Sequence, residues 1–303
     1  MKKKNLLIAG GTGFIGYHLA NKAIKKGYNV TSLSSKKPMP QRYSSKVNYI
    51  ICDTLNLKLL KKKLKIDFDV IINLSGYVNH NEKRKTYLTH YQGCKNLANF
   101  FLKKKIKLFI QIGSGMENGK ISSPQKEKYI CKPLTNYAKA KYKASSYILK
   151  LYKEKNFPAL VLRLYQAYGP KQDLNRLIPI TIVKSLNDEE INLSPGNQIR
   201  DFIFIDDLTE IILKFIKTKL SKQRVFNIGT NNPIKIKDLI KKIIKMTGKG
   251  KPNFGKIKIR KGEIMNMYPN NKSMQKKLKW KPKISLSKGL KLTINSYKLQ
   301  KKF

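Results

Sequence analysis

Short apolar runs alternate with amphipathic stretches through the first half of the chain. The runs NLLIAG (5–10), YNVTSL (28–33), VNYIIC (47–52), DVIINLSG (69–76), IKLFIQIGS (106–114) and PALVLRLY (158–165) are too short for helices and nearly continuous in apolar residues, so each predicts a buried strand. Between them lie amphipathic stretches that predict helices up to Lys26, near 55–64, through a long segment ending near Lys104, and from about 135 to 155. This alternation predicts an α/β fold built on a doubly wound parallel sheet.

After AYGP (167–170) the rhythm breaks. Helical stretches near 174–187, 206–219, 235–247 and 286–299 are separated by the strand-like QIRDFIFI (198–205), VFNIGT (225–230) and KIKIRK (256–261). The expected organisation is a first domain over 1–166, with a return near 202–230 interleaved into it, and a smaller mixed α/β domain over 167–303.

Composition adds one oddity. Sixty-five Lys and Arg against 17 Asp and Glu give a formal charge of +48. A lysine-rich surface binds polyanions by counterion release. Here, however, the lysines lie in short runs along the whole chain (LKKKLK, LKKKIK, IKKIIKM), on what read as polar helix faces, rather than on one element. The solvated-surface reading is the simpler one and argues against a nucleic-acid partner; in either case the field steers anionic substrates inward. Cys52, Cys94 and Cys131 are too few and too scattered for a disulfide framework or a zinc site, and no apolar run reaches membrane-spanning length. A soluble, cytoplasmic protein without a metal site is expected.

The strongest local signal is LLIAGGTGFIGYHLA (6–20), where a glycine triplet directly follows the first strand and opens a helix. Gly10 permits the tight turn, Gly13 lets the backbone approach a pyrophosphate at the positive helix end, and Gly16 allows close helix–strand packing. A dinucleotide is the ligand this arrangement predicts. At the end of the second strand, Ser34 stands where an acid would hold the ribose hydroxyls of NAD, and Ser35, Lys36 and Lys37 follow it. Hydroxyls and ammonium groups suit a 2′-phosphate, so NADP(H) is favoured and NAD(H) remains possible. Asp53, after the third strand, either accepts from the adenine amino group or caps a helix.

Four Tyr-x-x-x-Lys pairs occur: Tyr91/Lys95, Tyr137/Lys141, Tyr268/Lys272 and Tyr297/Lys301. In a chain with 16 tyrosines and this many lysines, spacing alone selects none of them. Taken in order, however, GGTGFIG (10–16), DVIINLSG (69–76), IGSGMENG (112–119), YAKAK (137–141), LRLYQAYGP (162–170), RDFIFIDDL (200–208) and KWKPKISLSKGL (279–290) resemble the extended short-chain dehydrogenase/reductases. The match is to their NAD-dependent epimerase/dehydratase family of nucleotide-sugar enzymes, and it covers nearly the whole chain.

The resemblance implies a Rossmann-like fold with a smaller substrate domain, and it selects one pair. Only Tyr137/Lys141 follows the strand ending in Ser114 and precedes the strand containing Arg163. Ser114, Tyr137 and Lys141 are then the catalytic set, with the ammonium one helical turn from the phenol, favouring loss of its proton. Cofactor contacts are implied for Gly10, Gly13, Phe14, Ile15, Gly16, Ser34, Lys36, Asp53, Leu74, Ser75, Gly76, Tyr137, Lys141 and Tyr165. Substrate contacts are implied for Gln166, Asn175, Arg176, Arg200 and Arg260, the last two as clamps on a diphosphate, with Glu263 near the nucleoside ribose. A homodimer through the helices near 82–104 and 135–155 is usual in the family.

The family's dehydratases carry an acid pair or a glutamate close behind the catalytic hydroxyl. Here Gly115 and Met116 follow Ser114, and Glu117 comes one place later, which argues against elimination. No cysteine follows the serine to epimerise a neighbouring carbon. What remains is reduction of a 4-keto nucleotide sugar, or the oxidation and re-reduction of a 4-epimerase with tightly bound NAD. The IGSGMENG segment and short second domain are most similar to 4-ketoreductases of deoxysugar pathways, of the CDP-abequose or CDP-paratose synthase kind. Two positions depart from the family: Asn118 replaces a tyrosine before Gly119, and His90 replaces an asparagine that supports the cofactor loop. His90 is therefore expected as a supporting donor rather than a catalyst. A non-enzymatic nucleic-acid-binding module on the same scaffold is a third reading, weakened by retention of the Tyr-Lys pair.

Overall fold

A computed structural model describes residues 3–77 and 82–300. The chain forms two compact units, one of Met1–Gly119, Glu127–Leu164 and Thr209–Asn227, the other of Lys120–Lys126, Tyr165–Leu208 and Ile228–Phe303.

The larger unit holds strands β1 (Asn5–Ala9), β2 (Asn29–Ser34), β3 (Asn48–Ile51), β4 (Val70–Asn73), β5 (Leu108–Ser114) and β6 (Ala159–Leu164). Its helices are α1 (Phe14–Lys25), α2 (Leu57–Lys63), α3 (Lys83–Tyr87), α4 (Gly93–Leu102) and α5 (Asn136–Lys155). With the strand Val225–Ile228 they make one sheet, ordered Val225–Ile228, β6, β5, β4, β1, β2, β3. β1 pairs in parallel on both sides, with Leu6 opposite Val30 of β2 and Val70 of β4. The strand order reverses at this point, and in such sheets the crevice beyond the carboxyl ends of the two central strands takes the ligand.

The apolar runs are continuous because helices cover them. Leu7, Ile71, Phe109 and Val161 pack with Leu60, Leu97, Phe101 and Ile148 in a single buried cluster. Emptying any one of these sites would cost about 2–5 kcal/mol. The three cysteines are free, with Cys52 and Cys94 buried and Cys131 half-buried; burial pushes the Cys94 thiol up to about 12.

α5 begins where Thr135 Oγ1 accepts from the Ala138 amide at 3.1 Å and ends at Asn156, which adopts the left-handed conformation (φ 50°). Small residues at 138, 140, 144 and 145 face inward and are buried, which lets the helix lie close to β5 and β6. The long helix expected to end near Lys104 is instead α3 and α4 joined by a π-helical turn, Leu88–Gln92, that carries the buried His90.

The smaller unit uses short paired strands. Gln166–Tyr168 pairs with Phe202–Phe204, Ile199–Arg200 lies between Ile234–Lys235 and Asn266–Met267, and Glu190–Leu193 pairs with Lys251–Phe254. Helices Leu177–Leu186, Ile236–Thr247, Lys272–Leu278 and Leu286–Gln300 belong to it. QIRDFIFI is not one strand: it breaks at the buried Asp201, whose carboxylate accepts from the Thr230 amide (2.7 Å), the Thr230 hydroxyl (2.8 Å) and the Asn232 amide (2.9 Å). KIKIRK is not a strand either. Its alternation has no partner to bury against, and Ile257 and Ile259 are exposed. The ladder is formed instead by Lys251–Phe254, where Pro252 is tolerated because the sheet has only two strands.

Candidate active site

The two loops that leave β1 and β4 are pressed together. Gly10 (φ +82°) could not carry a side chain, because its Cβ would fall 2.9 Å from the Leu74 carbonyl carbon and the Ser75 amide. At Gly16 a Cβ would fall 2.3 Å from the Gly10 carbonyl oxygen, so the start of α1 sits directly on the turn. Gly13 is the N-cap of α1; no side chain caps the first turn and no acid lies in it, which leaves its positive end open to an anion. This cradle, closed to Cβ atoms at two of its three glycines, fits a dinucleotide pyrophosphate, with Gly10, Gly13, Phe14, Ile15 and Gly16 at the turn and Leu74, Ser75 and Gly76 across from it.

Ser34 closes β2, and its Oγ accepts from the Thr12 amide at 3.3 Å, so the serine also braces the glycine turn. Lys36 and Lys37 are exposed beyond it. Asp53 is exposed and its Oδ1 accepts from the Leu55 amide at 2.9 Å. It is not the helix cap: Asn56 caps α2 by accepting from Leu59 at 2.9 Å.

Ser114 ends β5 and begins a 3-10 turn, Gly115–Asn118. Its Oγ accepts from the Met116 amide at 3.2 Å, which leaves the hydroxyl proton to donate elsewhere. Its amide donates to Glu117 Oε1 at 2.8 Å, completing a capping box. Glu117 is fully buried, and its two oxygens also take the Ser145 hydroxyl (2.9 Å) and Arg163 Nε (3.2 Å). Arg163 in turn donates to Asn118 Oδ1 at 3.1 Å and reaches Cys131 Sγ at 3.0 Å. The tyrosine-to-asparagine departure at 118 thus supplies an acceptor for a buried guanidinium.

Tyr137 is half-buried in the first turn of α5, and Lys141 is buried one turn later. The Lys141 ammonium donates to the Ile112 carbonyl at 2.8 Å, two residues before Ser114, which fixes it at the same end of β5 as the serine. Gln111 holds that carbonyl from the other side through its Nε2 (3.1 Å), while its Oε1 accepts from Asn73 Nδ2 (2.7 Å). Asn73 Oδ1 accepts from the Ser75 hydroxyl. A chain of side-chain bonds therefore runs from the loop after β4 to Lys141. Ser114, Tyr137 and Lys141, chosen from sequence, belong to adjoining elements of the larger unit. Lys95 lies over the Tyr147 ring, the Tyr297 hydroxyl donates to the Gln172 carbonyl, and Lys301 is outside the described residues.

Residues 6–229 match the NAD dependent epimerase/dehydratase family. The chain belongs to that family. It is 30% identical over 284 residues to a dTDP-D-glucose 4,6-dehydratase of Dictyostelium discoideum, a match covering 80% of this chain and 62% of that protein. Over 299 residues it is 28% identical to a CDP-abequose synthase of Salmonella muenchen, covering 95% of this chain and 96% of the relative. Among solved structures, the UDP-glucose 4-epimerase of Thermotoga maritima with UDP-glucose superposes with a TM-score of 0.92, at 25% identity, covering 98% of this chain and 99% of the other. The chain is therefore an NAD(P)-dependent enzyme with the Rossmann-like fold of its family. Among the described residues no helix is long and apolar enough to cross a membrane, and no cluster of metal-binding side chains occurs.

In the smaller unit Arg200 is buried, where burial pushes its guanidinium down from the usual value and Glu263 pulls it back up. It donates to the Ile199 (2.9 Å) and Met265 (3.1 Å) carbonyls and to Glu263 Oε1 (2.5 Å). Arg260 and Asn175 are exposed, while Gln166 and Arg176 are half-buried. Tyr165, expected at the cofactor, donates its hydroxyl to Gln125 Oε1 at 2.8 Å and belongs to the smaller unit. Sequence reasoning missed the Glu117–Arg163 pair and Gln111. The Ser114-x-x-Glu117 spacing and a charged residue inside the apolar run ALVLRLY were the signals available.

Proposed function

We propose that the chain reduces the 4-keto group of a nucleotide-linked deoxysugar to a hydroxyl with NADPH, giving a deoxysugar nucleotide. The observation that carries the reading is Glu117. A family dehydratase needs a free acid behind the catalytic hydroxyl, whereas this carboxylate is fully buried and both its oxygens are bonded to Ser114, Ser145 and Arg163. Proton delivery is left to Tyr137, and carbonyl polarisation to the Ser114 hydroxyl.

When bound, the nicotinamide supplies the hydride. Tyr137 donates its phenolic proton to the carbonyl oxygen, Ser114 hydrogen-bonds the same oxygen, and Lys141 stabilises the resulting phenolate, so that carbonyl, hydride and proton become an alcohol. The absence of an acid at Ser34, with Lys36 beyond it, supports NADPH. Arg200 and Arg260 are assigned to the diphosphate, which would take over the guanidinium of Arg200 from Glu263; Gln166, Asn175 and Arg176 are assigned to the sugar and phosphates. A homodimer through α3, α4 and α5, where Tyr87 and Tyr142 are exposed, and a cytoplasmic location belong to the same reading.

A 4-epimerase using bound NAD is the second reading, favoured by the likeness to the Thermotoga enzyme. Incubation with 4-keto and 4-hydroxy nucleotide sugars and each nicotinamide separates them. A reductase consumes NADPH in proportion to the alcohol formed; an epimerase interconverts the 4-hydroxyl epimers with no net change in the nicotinamide absorbance.

A further inference from the structure

We propose that His90 is a positioning residue for Tyr137, acting as one half of a pair with Gly76, an inference that rests on Tyr137 being the proton donor. The imidazole meets the Tyr137 ring edge-on, with centroids 5.1 Å apart and planes at 82°. Its Nε2 lies 3.2 Å from the Tyr77 amide nitrogen and 3.1 Å from the Tyr77 carbonyl oxygen. One ring nitrogen accepts from the first or donates to the second according to its tautomer. Either bond ties the ring to the segment that leaves β4.

Gly76 makes the arrangement possible. A Cβ there would fall 2.1 Å from His90 Cε1 and 2.5 Å from Nδ1, so any other residue at 76 would expel the imidazole from its place against Tyr137. The π-helical turn Leu88–Gln92 carries His90, and turns of this kind place side chains where regular helix geometry would not. A planar, buried ring thus links the orientation of the phenol to the backbone of the Leu74–Tyr77 loop. Lys141 is linked to the same loop through Gln111 and Asn73, so both members of the pair are referenced to one segment. Freeing the Tyr137 ring would move the proton donor off line without removing it, and a displacement of ~1 Å can lower turnover by ~100-fold.

The test uses the full chain in four forms besides wild type: His90→Ala, Gly76→Ala, the double variant Gly76→Ala/His90→Asn, and Tyr137→Phe. Tyrosine labelled with ¹³C at Cζ gives one resonance assigned to residue 137 by its loss in Tyr137→Phe. That resonance is expected to shift in His90→Ala and in Gly76→Ala, and to return toward its wild-type position in the double variant, because asparagine fits beside alanine where imidazole does not. In turnover, kcat is expected to fall ~10–100-fold in each single variant, with cofactor KM within about two-fold of wild type in His90→Ala, and to recover in the double variant. Additive losses without rescue, or an unmoved resonance in His90→Ala, would overturn the pairing. If wild type turns over no 4-keto nucleotide sugar, the proposed function fails by itself, while the substrate-free spectra still decide on His90.

Discussion

Glu117 and Arg163 form an ion pair sealed inside the larger unit, with Arg163 Nε 3.2 Å from Glu117 Oε2 and side-chain exposures of 0% and 6%. The pair stands directly behind Ser114, whose amide donates to the other oxygen of the same carboxylate. Removing one partner strands a buried charge. Glu117→Ala is expected to lower stability by about 3–5 kcal/mol, measured by urea unfolding, whereas an apolar replacement of both residues should lose less than either single change. Equal and additive losses would show that the two charges do not depend on each other.

Cofactor choice is expected to turn on the end of β2. Ser34→Asp keeps an acceptor for the Thr12 amide but sets a carboxylate where a 2′-phosphate would lie. The kcat/KM for NADPH should fall by at least ~10-fold, about 1.4 kcal/mol, and that for NADH should rise. Steady-state kinetics with both cofactors measures it, and an unchanged ratio would remove the argument for NADP.

Acid stability has a local reporter in Asp69. Its Oδ1 lies 2.8 Å from Lys107 Nζ and its Oδ2 accepts from the Asn5 amide at 2.9 Å. The hydrogen bond from Lys107 is the main reason its carboxyl lies below the ordinary value of 3.8. A lowered folded-state value means that the stabilisation is complete above the unfolded-state value and lost as pH falls through the folded one. Asp69→Asn should therefore lower Tm at pH 7, by an amount that shrinks as pH falls below 3.8 toward the folded-state value; a difference that stays constant over that descent would contradict the assignment.

The sheet could be read from the chain because strands buried on both faces leave uninterrupted apolar runs, and the glycine triplet marks the turn after β1 without ambiguity. The same reading failed at KIKIRK, where alternation came from surface lysines rather than from a buried face, and at QIRDFIFI, where one buried aspartate ends a strand by collecting three donors. In the site, motif order made Ser114, Tyr137 and Lys141 the candidates, and the structure sets them on adjoining elements. The Glu117–Arg163 pair and the Gln111–Asn73 bond were not legible, because they join residues 46 and 38 positions apart, although the Ser114-x-x-Glu117 spacing was in view. His90 was visible only as a departure; its partner Gly76 emerges only once the rings are placed in space.

The central claim is that the Tyr137 phenol delivers the proton. Tyr137→Phe removes one oxygen and leaves the glycine cradle untouched, so the variant should bind the dinucleotide as wild type does while kcat for the 4-keto nucleotide sugar falls by ~10²–10⁴-fold. Undiminished turnover in a folded, cofactor-binding Tyr137→Phe protein would contradict the account.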